Sequence, residues 1–328
     1  MNEVKPRICV IGAGKWGLNH IRTVAELNAL SGIIDKNKKL LLQLKQKFSC
    51  AVFSDLDDIS FDSFDAFIIA TPPKSHYSIA KKIINKGKPV LVEKPLTLDL
   101  LSAKKINDLA KKNNVNLMVG HLLLFHPAFR KMKDIINKGI IGEIQYIYSN
   151  RLNHGTFRSD ENVFWSFAPH DISLFNYFFE EKPIDIHSHG TDILQAGVHD
   201  TTITSFKYDK NKMGHIFVSW LHPFKEHRFV IIGSKGMIHF EDSIEDKPLT
   251  LHYKKARFIN SIPTPEGGEI EKINYDNTEP LRNELRYFIS NIFSEKINIA
   301  NGDSAVDVIR ILEKSTESLK SLEANRKL

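Results

Sequence analysis

Cysteine is scarce in this chain of 328 residues: there are two, Cys9 and Cys50. Both stand in or beside apolar strand-like runs, which reads as two buried thiols rather than a disulfide and fits a reducing cytoplasm. No apolar run approaches the length of a membrane span. The opening "MNEVKPRICVIGAG" enters a strand at once and lacks the layout of a signal peptide. Membrane partners and secretion are therefore not expected. The net charge of +6 is mild and spread over many lysines. No basic stripe interleaves with aromatics, so nucleic acid is not an expected partner. The fourteen histidines show no ligand spacing with carboxylates or cysteines, and no metal site is expected. Internal repeats and low-complexity linkers are missing too.

What is present describes a globular protein of ordinary composition, with 42% hydrophobic and 26% charged residues and length enough for two domains. Strand-like runs at 7–12, 31–35, 50–53, 64–70, 88–93 and 115–120 alternate with amphipathic stretches such as 75–86 and 99–112. In the latter, Leu100, Leu101, Ala103, Ile106, Leu109 and Ala110 recur at helical spacing, and Asp99 is placed as the cap. Apolar strands alternating with helices predict a parallel sheet covered on both faces. After about residue 140 strand follows strand, at 143–153, 185–194, 201–208, 213–221, 228–240 and 248–253. The run 228–240 reads as a hairpin turning at "SK" between Gly233 and Gly236. One helix interrupts the series at 169–179, residues 254–278 read as an irregular loop, and helices return at 279–293 and 303–320. The expected fold class is α/β: a doubly wound parallel sheet over 1–122, then an α/β domain with an open, mostly antiparallel sheet over 123–328.

"VIGAGKWG" supplies Gly12, Gly14 and Gly17 directly after a strand and opening a helix. The first glycine permits the tight turn, the second lets backbone N–H groups approach a pyrophosphate, and the third lets helix and strand pack closely. The next strand ends in Asp35, eighteen residues past Gly17, the expected place for a carboxylate on the adenosine ribose hydroxyls. A carboxylate there repels a 2′-phosphate, so NAD is favoured over NADP, although Lys36 and Lys38 follow closely. "ATPPKSH" leaves the fourth strand at the end where ligands sit in open α/β sheets, and Pro72 and Pro73 force a turn. His76 opens the helix that follows.

"VLVEKPLT" ends the fifth strand on the same sheet edge. Pro95 restricts Lys94 to extended geometry, which gives that side chain a defined direction. Either a strand-end salt bridge or a catalytic lysine satisfies this pattern. In "ENVFWSFAPHDISLFNYFF", Pro169 fits the first position of a helix, which puts His170 and Asp171 in its first turn. A histidine at a helix N-terminus is biased toward the neutral form and is a competent general base. Asp171 fits there as a dipole partner.

The glycine turn, "ATPPKSH", "VEKP", "VGHLLLFHPA" and the apolar helix at "APHD" resemble, in this order and over nearly the whole chain, the Gfo/Idh/MocA oxidoreductases. The resemblance implies a Rossmann domain, a second domain with an open sheet, assembly as a homodimer or homotetramer, and oxidation or reduction of a sugar or cyclitol carbon with NAD(P). Residues 151–173 look like the segment of bacterial 3-dehydrogenases that act on UDP-N-acetylglucosamine. These make a 3-keto sugar that an aminotransferase consumes on the way to lipid A, and similar enzymes serve other surface glycans. Carried onto this chain, Lys94 and His170 are the acid/base pair. Many members place an aspartate four residues before that histidine; Ser166 stands here. The implied cofactor contacts are Gly12, Gly14, Lys15, Trp16, Gly17, Asp35, Thr71, Pro72, His76, Glu93 and Lys94. Substrate candidates, besides Lys94 and His170, are Arg151 and Arg158 for a diphosphate, Trp165 for stacking, and Asn153 and Asn162 for hydroxyl or acetamido groups. A dehydrogenase of free sugar or inositol, and a non-catalytic regulator that senses dinucleotide or sugar, are the competing readings.

Overall fold

A computed structural model describes residues 5–155, 157–159, 161–293 and 296–326. The chain divides into two compact units, Met1–Phe125 with Thr278–Ile309, and His126–Asn277 with Arg310–Leu328.

The first unit opens with β1 (Ile8–Ile11), α1 (Lys15–Glu26), β2 (Leu30–Ile34), α2 (Lys38–Phe48), β3 (Ala51–Phe53), β4 (Ala66–Ile69), α3 (His76–Asn85), β5 (Val90–Val92), α4 (Leu100–Lys112) and β6 (Leu117–Val119). The strands lie in the order β3-β2-β1-β4-β5-β6, all parallel. β1, β4 and β5 are buried along their whole length, as unbroken apolar runs require when helices cover both faces. Asp99 caps α4 as its sequence predicts, accepting from Ser102 N at 2.7 Å. The strand order reverses between β1 and β4, the crevice where such sheets take ligands.

The second unit holds α5 (Pro127–Asn137), β7 (Ile144–His154), α6 (Val163–Phe179), β8 (Asp185–Thr191), β9 (Thr201–Lys207), β10 (Met213–Ser219), β11 (Leu221–Gly233), β12 (Met237–Glu241), β13 (Leu249–Ile259) and β14 (Ile262–Lys272). These strands form one sheet, β14-β13-β12-β11-β7-β10-β9-β8, antiparallel except for β7 beside β10. Side chains alternate between buried and open along β9 and β10, so one face is covered. That face receives α6, whose Phe175 and Phe178 meet Phe206 and Phe229 edge-on or tilted. The expected β11–β12 hairpin forms, with Gly233 N donating to Gly236 O.

Three expectations need correction. Residues 254–278 are not an irregular loop: most of them form the β13–β14 hairpin, which turns at Asn260 and Ser261, both at positive φ. Pro263, Pro265 and Gly267 disguise β14, but prolines are compatible with a strand that has one paired side. α6 starts at Val163, not at Pro169, because Asn162 caps it by accepting from Trp165 N at 3.0 Å. Pro169 is carried inside the helix. Finally, 123–328 does not stay together. α7 (Pro280–Ser290) buries Leu281, Leu285 and Phe288 and packs against α1 in the first unit. α8 (Gly302–Arg326) belongs to the first unit up to Ile309 and to the second from Arg310.

Candidate active site

The glycine turn is built as its sequence implies. Gly12 has φ +95°, and a Cβ there would lie 2.8 Å from the backbone of Ala70. A Cβ on Gly17 would sit 2.1 Å from Gly12 O, so only glycine lets α1 start this close to β1. Around Gly14 the space is open. Asp35 leaves the end of β2 and turns back to this loop: its Oδ2 accepts from Ala13 N at 2.6 Å and its Oδ1 from Asn37 N at 2.8 Å.

Gly12, Gly14, Asp35, Thr71 and Pro72 line one cavity of about 610 Å³ at the strand-order reversal. Its other walls come from residues the sequence did not single out as contacts, among them Lys36, Ser54, Lys74, Ser75, Ser78 and Lys82. Lysines close to the carboxyl ends of β2 and β4 were the available signal. Open glycine and cationic rim fit the pyrophosphate of a dinucleotide, and the carboxylate fits an adenosine ribose with a free 2′-hydroxyl. Asp35→Ala is expected to weaken NAD binding roughly tenfold, the scale of a lost charged hydrogen bond, and to narrow the preference over NADP. Fluorescence titration with NADH and NADPH measures both, and unchanged NADH affinity would remove Asp35 from the site.

Lys15, Trp16, Gly17, His76, Glu93 and Lys94 do not line this cavity. His76 is 1% exposed, with Nδ1 2.9 Å from Pro95 O and Nε2 2.8 Å from Thr71 O. It braces the chain leaving β4 against the chain leaving β5. Burial pulls its pKa below the ordinary histidine value, against those carbonyls and the charge of Glu93.

Glu93, directly after β5, holds a set of contacts that the sequence did not reveal. Its Oε1 receives the Trp16 indole N–H and lies 2.5 Å from His20 Nε2; its Oε2 accepts from Lys94 N at 3.1 Å. A Cβ on Gly120 would lie 3.0 Å from that carboxylate. Burial pushes the Glu93 carboxyl up, but His20, the Trp16 indole and the charge of Lys94 outweigh it and hold Glu93 below the usual carboxylate range. His121 and Glu284 are buried in the same unit, and neither ring nitrogen of His121 nor carboxylate oxygen of Glu284 meets a partner among the described residues. Burial brings His121 down to about 4 and, with the charge of Glu93, raises Glu284 well above the carboxylate range. The sequence carried one readable sign: Glu284 falls on the apolar face of α7, with Leu281, Leu285 and Phe288. Lys94 itself is half-buried, and its peptide bond to Pro95 is cis.

In the second unit the substrate candidates separate. His170 lies eight residues past the Asn162 cap, beyond the first turn over which the dipole acts, so the helix end gives no reason for a neutral imidazole. Asp171 is not a dipole partner either. It is 1% exposed and receives Arg151 Nε at 2.8 Å, Arg151 Nη2 at 3.1 Å and Ser149 Oγ at 2.6 Å. Arg151 is thereby committed to Asp171 rather than presented to a diphosphate. Asn162 spends its side chain on the helix cap, and Trp165 Nε1 donates to Thr316 Oγ1 at 2.9 Å. Arg158 is exposed, 3.1 Å from Glu161, and Asn153 is half-buried at the end of β7.

Residues 6–121 match the oxidoreductase family GFO_IDH_MocA, NAD-binding Rossmann fold, and residues 129–239 match the GFO/IDH/MocA C-terminal domain. Among curated proteins, UDP-N-acetylglucosamine 3-dehydrogenase of Acidithiobacillus ferrooxidans is 28% identical over 185 residues, 56% of this chain and 58% of that protein. The scyllo-inositol 2-dehydrogenase (NAD(+)) of Bacillus subtilis is 24% identical over 80% of this chain and 81% of its own length. The solved structure of GnnA, the UDP-N-acetylglucosamine 3-dehydrogenase from Acidithiobacillus ferrooxidans, superposes with a TM-score of 0.86 at 20% identity, covering 97% of this chain and 99% of that one. With both domain matches, the glycine turn and Asp35 in place, the chain is an oxidoreductase of the Gfo/Idh/MocA family with an NAD-binding Rossmann domain.

Proposed function

We propose that this enzyme oxidises the C3 hydroxyl of a nucleotide-linked amino sugar, converting UDP-N-acetylglucosamine to its 3-keto form, in the cytoplasm. The observation that carries the reaction type is Lys94 on a braced loop at the carboxyl end of β5, on the sheet edge that holds the glycine turn and Asp35. NAD, when bound, supplies the hydride acceptor. Gly12, Gly14, Asp35, Thr71 and Pro72 hold it, and Lys94 Nζ takes the hydroxyl proton. His170 is the second proton carrier. Arg158 and Asn153 are the remaining candidates for the nucleotide and sugar, since Arg151, Asn162 and Trp165 have structural duties. The keto product suits an aminotransferase in lipid A or surface-glycan synthesis, and the enzyme works as a homodimer or homotetramer.

The choice of sugar rests on the 28% identical relative and on residues 151–173. A second reading, oxidation of a free cyclitol, draws support from two findings. One of the two arginines meant for a diphosphate is occupied by Asp171, and the inositol dehydrogenase aligns over more of the chain. NADH formation across UDP-sugars, free sugars and inositols decides between them. UDP-N-acetylglucosamine is expected to reduce NAD and inositol is not; the opposite pattern overturns the nucleotide-sugar reading.

A further inference from the structure

Glu93 is a buried carboxylate that joins three parts of the first unit. Trp16 and His20 reach it from the first turns of α1, the helix that the glycine turn opens. The N–H of Lys94 reaches it from its own loop. Gly120, at the end of β6, makes the room. Glu93 thus touches both the helix that the glycine turn opens and the peptide of the proposed base.

We propose that Glu93 is a positioning residue: its buried negative charge, clamped by Trp16 and His20, fixes the loop that presents Lys94 and sets how readily Lys94 gives up its proton. This deepens the assignment of Lys94 as base and, for turnover, rests on it. Among the described residues, the titratable groups that interact with the charge of Glu93 are His20 from α1, His76 from α3, Lys94 next to it in the chain, His121 after β6 and Glu284 from α7. The charge of Lys94 lowers Glu93, and by the same interaction the Glu93 anion favours the charged lysine. His121, pushed down to about 4, is neutral near pH 7 and adds no charge. Burial and the charge of Glu93 push Glu284 toward its neutral acid, while Glu93 is held below the usual carboxylate range. These opposite shifts of two buried carboxyls provide an internal control.

The test needs no turnover. In ligand-free protein, the rate of Lys94 acylation by acetic anhydride is followed against pH by peptide mass spectrometry. Glu93→Gln is expected to raise the rate at pH 8 by roughly threefold or more, because the neutral amine gains population once the anion is gone. Glu284→Gln replaces the carboxyl that burial pushes toward its neutral form and is expected to leave the Lys94 profile in place. His20→Gln removes the partner that keeps Glu93 ionised, moves Lys94 in the same direction by a smaller factor, and carries the comparison should Glu93→Gln fail to fold. Coincident profiles for wild type and Glu93→Gln, or for wild type and His20→Gln where only that variant folds, overturn the proposal. So does an equal shift in Glu284→Gln. Full turnover in Lys94→Met would instead overturn the base assignment and leave the labelling result standing.

Discussion

Lys94→Met is expected to lose hydride transfer by a factor of about 10² to 10⁴, the range supplied by a positioned proton-transfer group. Methionine keeps the length and the apolar stem and removes only the amine. The loop keeps an anchor, because Glu93 Oε2 accepts from the backbone N–H of residue 94, which methionine retains. The cavity survives too, since Lys94 does not line it. NADH affinity should therefore stay within a few-fold of wild type while kcat collapses. That split between binding and turnover separates a catalytic lysine from a salt bridge that merely holds a strand end. Stopped-flow hydride transfer together with NADH titration reads both quantities, and near-wild-type kcat in this variant ends the assignment.

The second large effect concerns stability. Asp171→Ala should lower unfolding free energy by about 3–5 kcal/mol, the cost of leaving the partner of a buried ion pair uncompensated. The guanidinium left behind is that of Arg151, which burial penalises and which, among the described residues, Asp171 bonds through Nε and Nη2. Ser149 Oγ would lose its acceptor as well. The melting temperature should fall by on the order of 10 °C. The double variant Arg151→Met/Asp171→Leu should recover most of the loss, because a well-packed apolar pair replaces a buried ion pair at little cost. Calorimetry of the single and double variants checks this. An unchanged melting temperature in Asp171→Ala would show that the pair holds nothing together.

The sequence was most informative where the signal is local. The parallel sheet, the Asp99 cap, the glycine turn and Asp35 each depend on residues close together in the chain, or on one strand-helix unit. It was least informative where partners are distant. His20 and Glu93 are 73 residues apart, and nothing in either segment announces the other. Glu284 joins their unit only because the chain returns to it after Asn277. The start of α6 was misplaced because Pro169 has the form of a first helical residue, while Asn162, the actual cap, was assigned to the sugar. Eight residues past that cap, His170 is out of reach of the helix dipole, and its proposed role rests on the family resemblance. The same segment shows why a list of polar residues is not a binding site. Arg151, Asn162 and Trp165 all have the chemistry to hold a nucleotide sugar, and in the structure all three are occupied with the protein itself.

The prolines that hid β14 have a second effect. Among the described residues, β14 ends its sheet, and Phe258 of β13 and Ile262 of β14 are 70% and 65% exposed. A long edge strand of this kind is a template on which another chain can add a strand. Pro263 and Pro265 are two positions apart, so their nitrogens lie on the same side, and pairing with β13 runs unbroken past both. That places two positions without an N–H on the open side, where an incoming strand needs donors. Glu266, Glu269 and Glu271 add like charges along the same strand. The hairpin arm can thus carry apolar side chains into solvent without offering its backbone for aggregation.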